Sequence, residues 1–299
     1  MEYHIPALLS ETIDGLNIKS SGVYVDVTFG GGGHSNATLK KLKKGYLLGF
    51  DQDEDAEKNA PDDERFIFVR NNYRFIKNYV RYCNFDKVDG ILADLGVSFH
   101  HFDTADRGFS FRFNEKLDMR MDKDAELTAQ EIVNSYTREK LIDLFYQYGE
   151  INNAKYLTEK IIYTRTSSKI VTCDDLRTVA MACLPNNVQE KKYLAQIFQA
   201  LRIEVNDEIR VLKELLRNSL DLLNPGGRLV IITYHSLEDR LVKQFMKTGD
   251  FTNEIEKDFF GNSKSPFKLI NKKVIVPSEE EIAINPRSRS AKLRIAEKI

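Results

Sequence analysis

Four consecutive glycines, Gly30 to Gly33, directly follow an apolar run that begins at Val23. The run is typical of a buried strand, and the polar residues after the glycines are typical of a helix start. Glycines at such a junction let the backbone approach a ligand that a Cβ atom would exclude. This feature favours a sheet with a ligand at the end of a strand, the plainer alternative being a simple turn.

Asp51 directly follows the next apolar run, residues 46–50, and lies about twenty residues beyond the glycines. At this spacing, nucleotide-binding folds place a carboxylate on ribose hydroxyls. The spacing departs from the dinucleotide fingerprint, since counting G-x-G-x-x-G from Gly30 puts Ser35 at the last glycine position. A phosphate loop is also excluded, because Lys40 follows too late. The pattern therefore favours a nucleoside ligand without a pyrophosphate, and S-adenosylmethionine is the common one.

Composition indicates a globular protein. The chain has 299 residues, of which 42% are hydrophobic, enough for the core of one large domain or two ordinary ones. The N-terminus does not resemble a signal peptide, and no run approaches the roughly 18 apolar residues that span a bilayer. We therefore expect a cytoplasmic protein without a membrane segment.

Charge and cysteine content exclude two further classes. The three cysteines lack metal-ligand spacing, so we expect no metal site. With 44 basic and 45 acidic residues, the chain as a whole has no nucleic-acid signature. Any contact with a polyanion must therefore use local patches.

Strand and helix signals alternate through the first hundred residues, with strands near 23–28, 46–50, 66–70 and 88–94. Such alternation predicts a parallel sheet covered by helices, with the ligand at the carboxyl ends of the strands. From Thr128 to about residue 184 the pattern is helical instead, beginning with a Thr128-x-x-Glu131 capping box.

A long helical stretch over about 189–223 follows, with at most one break near Asn206-Asp207. A buried strand from Arg228 then resumes the sheet, and the tail supplies edge strands at 267–269, 274–276 and 291–296, with loops between them. We predict one α/β, doubly wound domain formed by residues 1–104 and 206–299. An all-helical insertion, residues 105–205, interrupts it.

Two segments at the predicted ligand edge carry chemistry. Asp94 closes the fourth strand, so its carboxylate should stand beside the glycine loop and accept a hydrogen bond from an amine of the methyl acceptor or donor, unless it only caps a turn. The segment 99–113 interleaves phenylalanines with arginines, as stacking on unpaired bases requires. We name Arg107, Phe109, Phe111 and Arg112 as RNA-binding candidates, although a core-forming segment would look similar.

His235 follows the fifth predicted strand and shares this edge. With Ser236 it could suggest a serine hydrolase, but no G-x-S-x-G elbow accompanies the pair. Ser236-x-x-Asp239 is also a good helix start. His34, after the glycines, could have only a packing role.

Seven segments in this order resemble the bacterial RsmH (MraW) family of S-adenosylmethionine-dependent methyltransferases: Thr28-Phe-Gly-x-Gly-Gly-His-Ser, Asp94-Leu-Gly-Val-Ser, Asp106-Arg-Gly-Phe-Ser-Phe, Leu117-Asp-Met-Arg-Met-Asp, Phe198-Gln-Ala-Leu-Arg-Ile-x-Val-Asn, His235-Ser-Leu-Glu-Asp-Arg and Asn285-Pro-Arg-Ser-Arg-Ser. The resemblance implies methylation of the exocyclic N4 of a cytidine in the decoding region of 16S ribosomal RNA, within the small ribosomal subunit. It also implies a Rossmann-like methyltransferase sheet whose helical insertion recognises RNA.

Carried over by motif, the family's donor-binding positions fall on Gly32, Gly33, His34, Asp51, Tyr73, Asp94 and His101. Tyr73 stands where relatives often have phenylalanine, which keeps an aromatic face. The segment Ser98-Phe-His-His departs from the family's Ser-Ser-Pro-Gln, so an imidazole replaces an amide at His101. For the group that accepts a hydrogen bond from N4, Asp94 is the first candidate, followed by Asp118 and His235.

Two other functions stay open. A small-molecule methyltransferase would share the donor site but would not need a large helical insertion. A nonenzymatic ribosome-assembly factor could bind S-adenosylmethionine merely as a ligand. Salt-dependent RNA binding would distinguish an RNA methyltransferase from a small-molecule methyltransferase. Catalytic turnover would distinguish it from an assembly factor.

Overall fold

The computed structural model of the protein describes residues 6–96, 107–252 and 265–299. The chain divides into two compact units: unit 1 comprises Met1–Gly96 and Arg210–Ile299, and unit 2 comprises Val97–Ile209. No helix in the described ranges is long and apolar enough to cross a lipid bilayer.

Unit 1 is built on a seven-stranded sheet. Its strands are β1 (Val23–Asp26), β2 (Tyr46–Asp51), β3 (Phe66–Arg70), β4 (Val88–Asp94), β5 (Leu223–Thr233), β6 (Phe267–Leu269) and β7 (Lys292–Lys298). They lie in the order β3-β2-β1-β4-β5-β7-β6. Strands β1 to β5 are parallel, and β7 runs antiparallel to both of its neighbours.

The described helices are numbered along the whole chain. They are α1 (Leu9–Leu16), α2 (Gly33–Lys41), α3 (Glu54–Glu57), α4 (Ile76–Tyr82), α5 (Ala129–Ser135), α6 (Arg138–Gln147), α7 (Ala154–Ser167), α8 (Cys173–Met181), α9 (Glu190–Val205), α10 (Glu208–Leu222), α11 (Ser236–Thr248) and α12 (Glu279–Ile284). Short 3-10 helices cover Tyr73–Phe75 and Pro286–Ser290.

Helices cover both faces of the sheet. Successive strand residues point to opposite sides, so apolar side chains on each face pack against helices. Ile91 of β4 packs in one core with Leu216 of α10 and Phe245 of α11. The next residue, Leu92, packs in the other core with Leu16 of α1. A largely parallel sheet covered on both faces is a doubly wound α/β fold, which confirms the predicted fold class.

Strand β1 lies between β2 and β4, so the chain first builds the sheet in one direction and then in the other. At such a switch point the two crossovers leave a crevice beyond the carboxyl ends of the central strands. The glycine loop follows β1 and Asp94 ends β4, so both belong to this edge. The topology therefore places the two strongest sequence signals at one site.

Unit 2 packs its helices around a separate hydrophobic core that includes Phe145 and Leu201. The predicted capping box at Thr128 and Glu131 is present at the start of α5. The predicted break between α9 and α10 is also confirmed. Asp207 has the left-handed φ of +52° at the break, and the Asn206 side chain bonds the backbone at Met119 and Met121, each at 2.8 Å.

The tail differs from the prediction in two places. Residues 279–281, expected as loop, form the first turn of α12, because the Ser278 hydroxyl accepts a hydrogen bond from the Glu281 N–H at 3.1 Å and so caps a helix. The strand expected at 274–276 is reduced to one antiparallel bridge between Ile275 and Leu293.

Candidate active site

The glycine loop carries the backbone from β1 into α2 through two left-handed residues. Gly30 has φ +51° and Gly32 has φ +74°, conformations that side-chain-bearing residues rarely adopt. At Gly31, no described atom beyond the adjacent residues lies within 4 Å of the position that a Cβ would occupy. The Cβ position of Gly31 therefore lies in open space beside the loop. The first N–H groups of α2 follow directly.

Asp51 braces this loop from the end of β2. Its Oδ2 accepts a hydrogen bond from the Gly30 N–H at 2.8 Å, and its Oδ1 accepts one from the Asp53 N–H at 2.9 Å. Carboxylate oxygens are hydrogen-bond acceptors, the kind of group that ribose hydroxyls require. The geometry is compatible with the role we predict for Asp51.

Asp26, which the sequence analysis does not single out, bonds residues on both sides of the same loop. It is 2% exposed; Oδ1 accepts a hydrogen bond from the Thr28 N–H and Oδ2 accepts one from the Ser35 hydroxyl at 2.7 Å. Burial raises the pKa of Asp26, and these hydrogen bonds oppose that shift. The sequence signal was available: an Asp-x-Thr turn directly after a buried strand.

Asp94 is tied into the site at three points. Its backbone N–H donates to the Thr28 hydroxyl at 2.6 Å, and its Oδ1 accepts a hydrogen bond from the Tyr234 hydroxyl at 2.8 Å. Its Oδ2 lies 3.8 Å from Nδ1 of His34, and 21% of the side chain is exposed. Burial raises the pKa of Asp94 to about 6, against the hydrogen bond from the Tyr234 hydroxyl, which acts to lower it.

His34 is 6% exposed, and its Nε2 lies 3.1 Å from the Ala7 carbonyl oxygen. A carbonyl can only accept, so Nε2 carries a proton and, in the neutral ring, Nδ1 carries a lone pair. Burial lowers the pKa of His34, which favours the neutral ring. Nδ1 of His34 and Oδ2 of Asp94 are therefore two acceptors facing one another, an arrangement that an N–H donor would satisfy.

Tyr73 lies in the short 3-10 helix after β3, partly buried against the core of unit 1. Its neighbour Asn72 donates to the Gln52 side-chain oxygen at 3.0 Å, which joins the loops after β2 and β3. Tyr73 thus follows the strand next to Asp51, and its donor-binding role stays a prediction. The predicted donor-binding residue His101 lies outside the described residues.

The other two catalytic candidates have structural partners. In unit 2, Asp118 accepts two hydrogen bonds from the Arg120 guanidinium, both at 2.8 Å. Burial acts to raise the pKa of Asp118, but Arg120 outweighs it and holds that pKa below its usual range, which makes the carboxylate a weak base. In unit 1, His235 caps α11, a position we predicted for Ser236, and its Nε2 lies 3.1 Å from Oε1 of Glu238.

The predicted RNA-binding residues do not all face solvent, and two of them require correction. Phe109 is 5% exposed in the core of unit 2, so its ring is not free to stack on a base. Arg107 is 8% exposed and donates to the Met121 carbonyl oxygen at 2.9 Å. Phe111 packs edge-on against Phe198, with ring centroids 5.6 Å apart, whereas Arg112 is exposed. The segment is rich in aromatic residues, but part of it is buried in the core of unit 2.

Exposed aromatic side chains occur elsewhere in unit 2. On α7, Tyr156 is 50% and Tyr163 is 73% exposed. Between them the Lys160 ammonium lies 5.6 Å from the centroid of the Tyr156 ring. Residues 156, 160 and 163 are spaced by four and three, which puts them on one helix face. This spacing is a signal that the sequence alone contains.

Comparisons with known proteins show what this chain is similar to. The model of the MraW methylase family matches residues 1–299. The chain is 59% identical over 299 residues to the ribosomal RNA small subunit methyltransferase H of Parabacteroides distasonis, covering 99% of this chain and 98% of the relative. It is also 59% identical over 292 residues to that of Flavobacterium psychrophilum, covering 97% and 100%. Among solved structures, an rRNA methylase from Streptococcus thermophilus is 13% identical, with a TM-score of 0.45 and 99% of both chains covered.

Proposed function

This chain belongs to the MraW methylase family, and we propose that it transfers a methyl group to the exocyclic N4 of a cytidine in the decoding region of 16S ribosomal RNA. The protein is a methyltransferase, and its methyl donor is S-adenosyl-L-methionine. Relatives named as methyltransferases of the small ribosomal subunit RNA support RNA as the substrate class. The finer substrate, 16S RNA within the small subunit in the cytoplasm, is part of the proposal.

The observation that carries the N4 proposal is the pair of acceptors formed by Asp94 Oδ2 and His34 Nδ1, 3.8 Å apart at the carboxyl end of β4. An exocyclic amine has N–H donors and a lone pair that is delocalised into its ring. A carboxylate that accepts one N–H favours a pyramidal nitrogen, which frees the lone pair for attack, and it can then take up the proton that leaves. Asp94 is therefore the catalytic residue we propose, ahead of Asp118 and His235.

The cysteines argue against the competing position on the same base, C5. Methylation at C5 requires a nucleophile, commonly a thiolate, to add to C6 first. Cys173 and Cys183 are buried in unit 2, and burial raises the pKa of both thiols. Cys83 ends α4 and has a raised pKa for the same reason. None of the three has the lowered pKa that makes a reactive thiolate.

The residues at the switch point fit the methyl donor. The open space at Gly31 admits a ligand against the backbone, Asp51 can accept from ribose hydroxyls, and Tyr73 offers an aromatic face. The donor supplies an electrophilic methyl group on a sulfonium. The protein contributes by orienting both partners and excluding water, and positioning of this kind accounts for much of the rate in such transfers.

Unit 2 is the proposed RNA-binding unit. Tyr156 and Tyr163 offer exposed rings for stacking on unpaired bases, and Lys160 and Arg112 offer cations for phosphates. Charge supports this choice, since residues 154–169 contain Lys155, Lys160, Arg165 and Lys169 against one acid, Glu159. A polyanion is the partner that suits such a surface.

Transfer of a labelled methyl group to RNA, measured against small-molecule amines and across a salt series, tests the proposal. We expect transfer to small-subunit RNA, with binding that weakens as salt rises. Transfer to small amines alone would support a small-molecule methyltransferase. RNA binding without turnover would support an assembly factor.

A further inference from the structure

Tyr234 stands at the centre of the proposed site but is not among the residues that the sequence motifs single out. It follows β5 directly, and β5 pairs in parallel with β4, so Tyr234 and Asp94 leave neighbouring strand ends. The Tyr234 hydroxyl donates to Oδ1 of Asp94 at 2.8 Å. The hydrogen bond therefore joins two adjacent strands at the reacting edge of the sheet.

The surroundings hold this ring in place. The Tyr234 backbone N–H donates to Oε2 of Glu238 at 3.0 Å, which ties the residue to α11. On the other side, a Cβ built on Gly96 would lie 3.2 Å from Cδ2 of Tyr234, and Gly96 has φ +110°. A glycine at 96 thus leaves room for the ring as the chain turns away from β4.

The hydroxyl can act only as a donor to Asp94. Burial, followed by the neighbouring Asp94 carboxylate, raises the pKa of Tyr234 far above its ordinary value, so the phenol keeps its proton. With Oδ1 bound by Tyr234, Oδ2 remains the oxygen that faces His34. The two carboxylate oxygens therefore have different tasks: one is anchored, and the other is available.

We propose that Tyr234 is a positioning residue for methyl transfer, which fixes Oδ1 of Asp94 so that Oδ2 meets the N–H of the acceptor amine. This inference rests on the proposed transfer to cytidine N4. A hydrogen bond to the carboxylate also favours its ionised form, which is the form that accepts. Tyr234 thereby contributes both to the orientation and to the charge state of the catalytic group.

Tyr234→Phe tests the inference, with Tyr24→Phe as the matched control. Tyr24 is a buried tyrosine of the same sheet whose hydroxyl also makes one hydrogen bond, accepting from the Lys19 N–H at 2.7 Å at the opposite edge. For Tyr234→Phe we expect kcat to fall at least about tenfold, the effect of losing one hydrogen bond to a charged group. Donor affinity should stay within about twofold, and the control should keep both values.

The pH dependence separates positioning from a merely structural effect. Among the described residues, the titratable groups that face Asp94 and Tyr234 are His34 on α2, Asp26 on β1, Glu238 on α11 and Glu281 on α12, and all stay unchanged in the variant. Removing the hydroxyl takes away a hydrogen bond that lowers the pKa of Asp94. The acid limb of the kcat profile should therefore move to higher pH by about one unit. NMR titration of the Asp94 carboxyl carbon in the ligand-free protein should show the same shift.

Two further variants keep the outcome decisive. In an Asp94→Asn background, Tyr234→Phe should cause almost no additional loss, because a residue that acts through Asp94 has nothing left to position. Should the phenylalanine variant fail to fold, 3-fluorotyrosine at position 234, a stronger donor, should shift the Asp94 titration to lower pH. An unchanged Asp94 titration, or additive losses, would overturn the inference. If the wild-type protein forms no N4-methylcytidine, the proposed function fails instead.

Discussion

Oδ2 of Asp51 accepts a hydrogen bond from the N–H of Gly30, which joins the end of β2 to the loop after β1 at 2.8 Å. Asp51 therefore has two tasks, shaping the glycine loop and facing the ligand. Asp51→Ala should weaken S-adenosyl-L-methionine binding by roughly 1.5–3 kcal/mol, the scale of hydrogen bonds to a charged group, and should also lower the free energy of unfolding. Calorimetry and thermal denaturation measure the two effects.

Asp63→Ala is the matched control for that variant. Asp63 also accepts a backbone N–H, from Arg65 at 2.9 Å, but it lies before β3 at the opposite edge of the sheet. The control should lose stability without losing donor affinity. Equal donor affinity in Asp51→Ala and the wild-type protein would remove Asp51 from the site.

Gly31 offers a cleaner steric probe than its neighbours. A Cβ at Gly31 meets no described atom beyond the adjacent residues within 4 Å, so Gly31→Ala should leave the free energy of unfolding unchanged within about 0.5 kcal/mol. The methyl group projects into the proposed donor space, and we expect donor affinity to fall at least about tenfold. Gly32→Ala should instead destabilise the protein by about 1–2 kcal/mol, because Gly32 has φ +74°. Normal donor binding by a folded Gly31→Ala variant would place the ligand elsewhere.

The ionisation of Asp94 should make the transfer rate rise with pH and the free energy of unfolding fall with pH. Its pKa is raised from 3.8 to about 6, chiefly by burial, and the ionised form is the proposed acceptor. The rate should therefore rise with pH through about 6. Because native Asp94 holds its proton more tightly than unfolded Asp94, its contribution to stability is greatest below pH 3.8 and declines until about pH 6.

Asp94→Asn should consequently reduce transfer to a small residual rate while raising the free energy of unfolding at pH 7.5 by about 1–2 kcal/mol, because the cost of the buried charge is removed. Denaturant unfolding at pH 4 and pH 7.5 checks this, since the gain should largely vanish at the lower pH. A variant that is inactive and equally destabilised at both pH values would point to a structural role for Asp94.

The exposed face of α7 should contribute to RNA affinity in two separable ways. Tyr156→Ala with Tyr163→Ala should weaken RNA binding by about 1–3 kcal/mol per stacked base and leave its salt dependence unchanged. Lys160→Ala should weaken binding and reduce the salt slope by about one. Tyr82→Ala is the control, since Tyr82 is 83% exposed on α4 of unit 1. Filter binding over a salt series makes the measurement, and equal losses in variant and control would refute the assignment.

Local pattern and spacing were sufficient to predict the doubly wound sheet and the edge where Asp51 and Asp94 lie. Those residues end strands, and strand ends follow from apolar runs and turn residues. The roles of Phe109 and Tyr234 could not be predicted in this way. Whether Phe109 is buried depends on how the helices of unit 2 pack, and Tyr234 meets Asp94, 140 residues earlier in the chain, only through strand pairing. His34 is intermediate, since its acceptor Nδ1 becomes evident only once Ala7 is seen to bind Nε2.

The chemical position of the transferred methyl group tests the assignment of Asp94 most directly. Small-subunit RNA is incubated with the enzyme and isotopically labelled S-adenosyl-L-methionine, digested to nucleosides and separated by chromatography with mass detection. We expect all the label in N4-methylcytidine with the wild-type protein and only a small residual amount with Asp94→Asn. Label in 5-methylcytidine or on a ribose hydroxyl, or N4-methylcytidine formed at the wild-type rate by Asp94→Asn, would contradict the proposal.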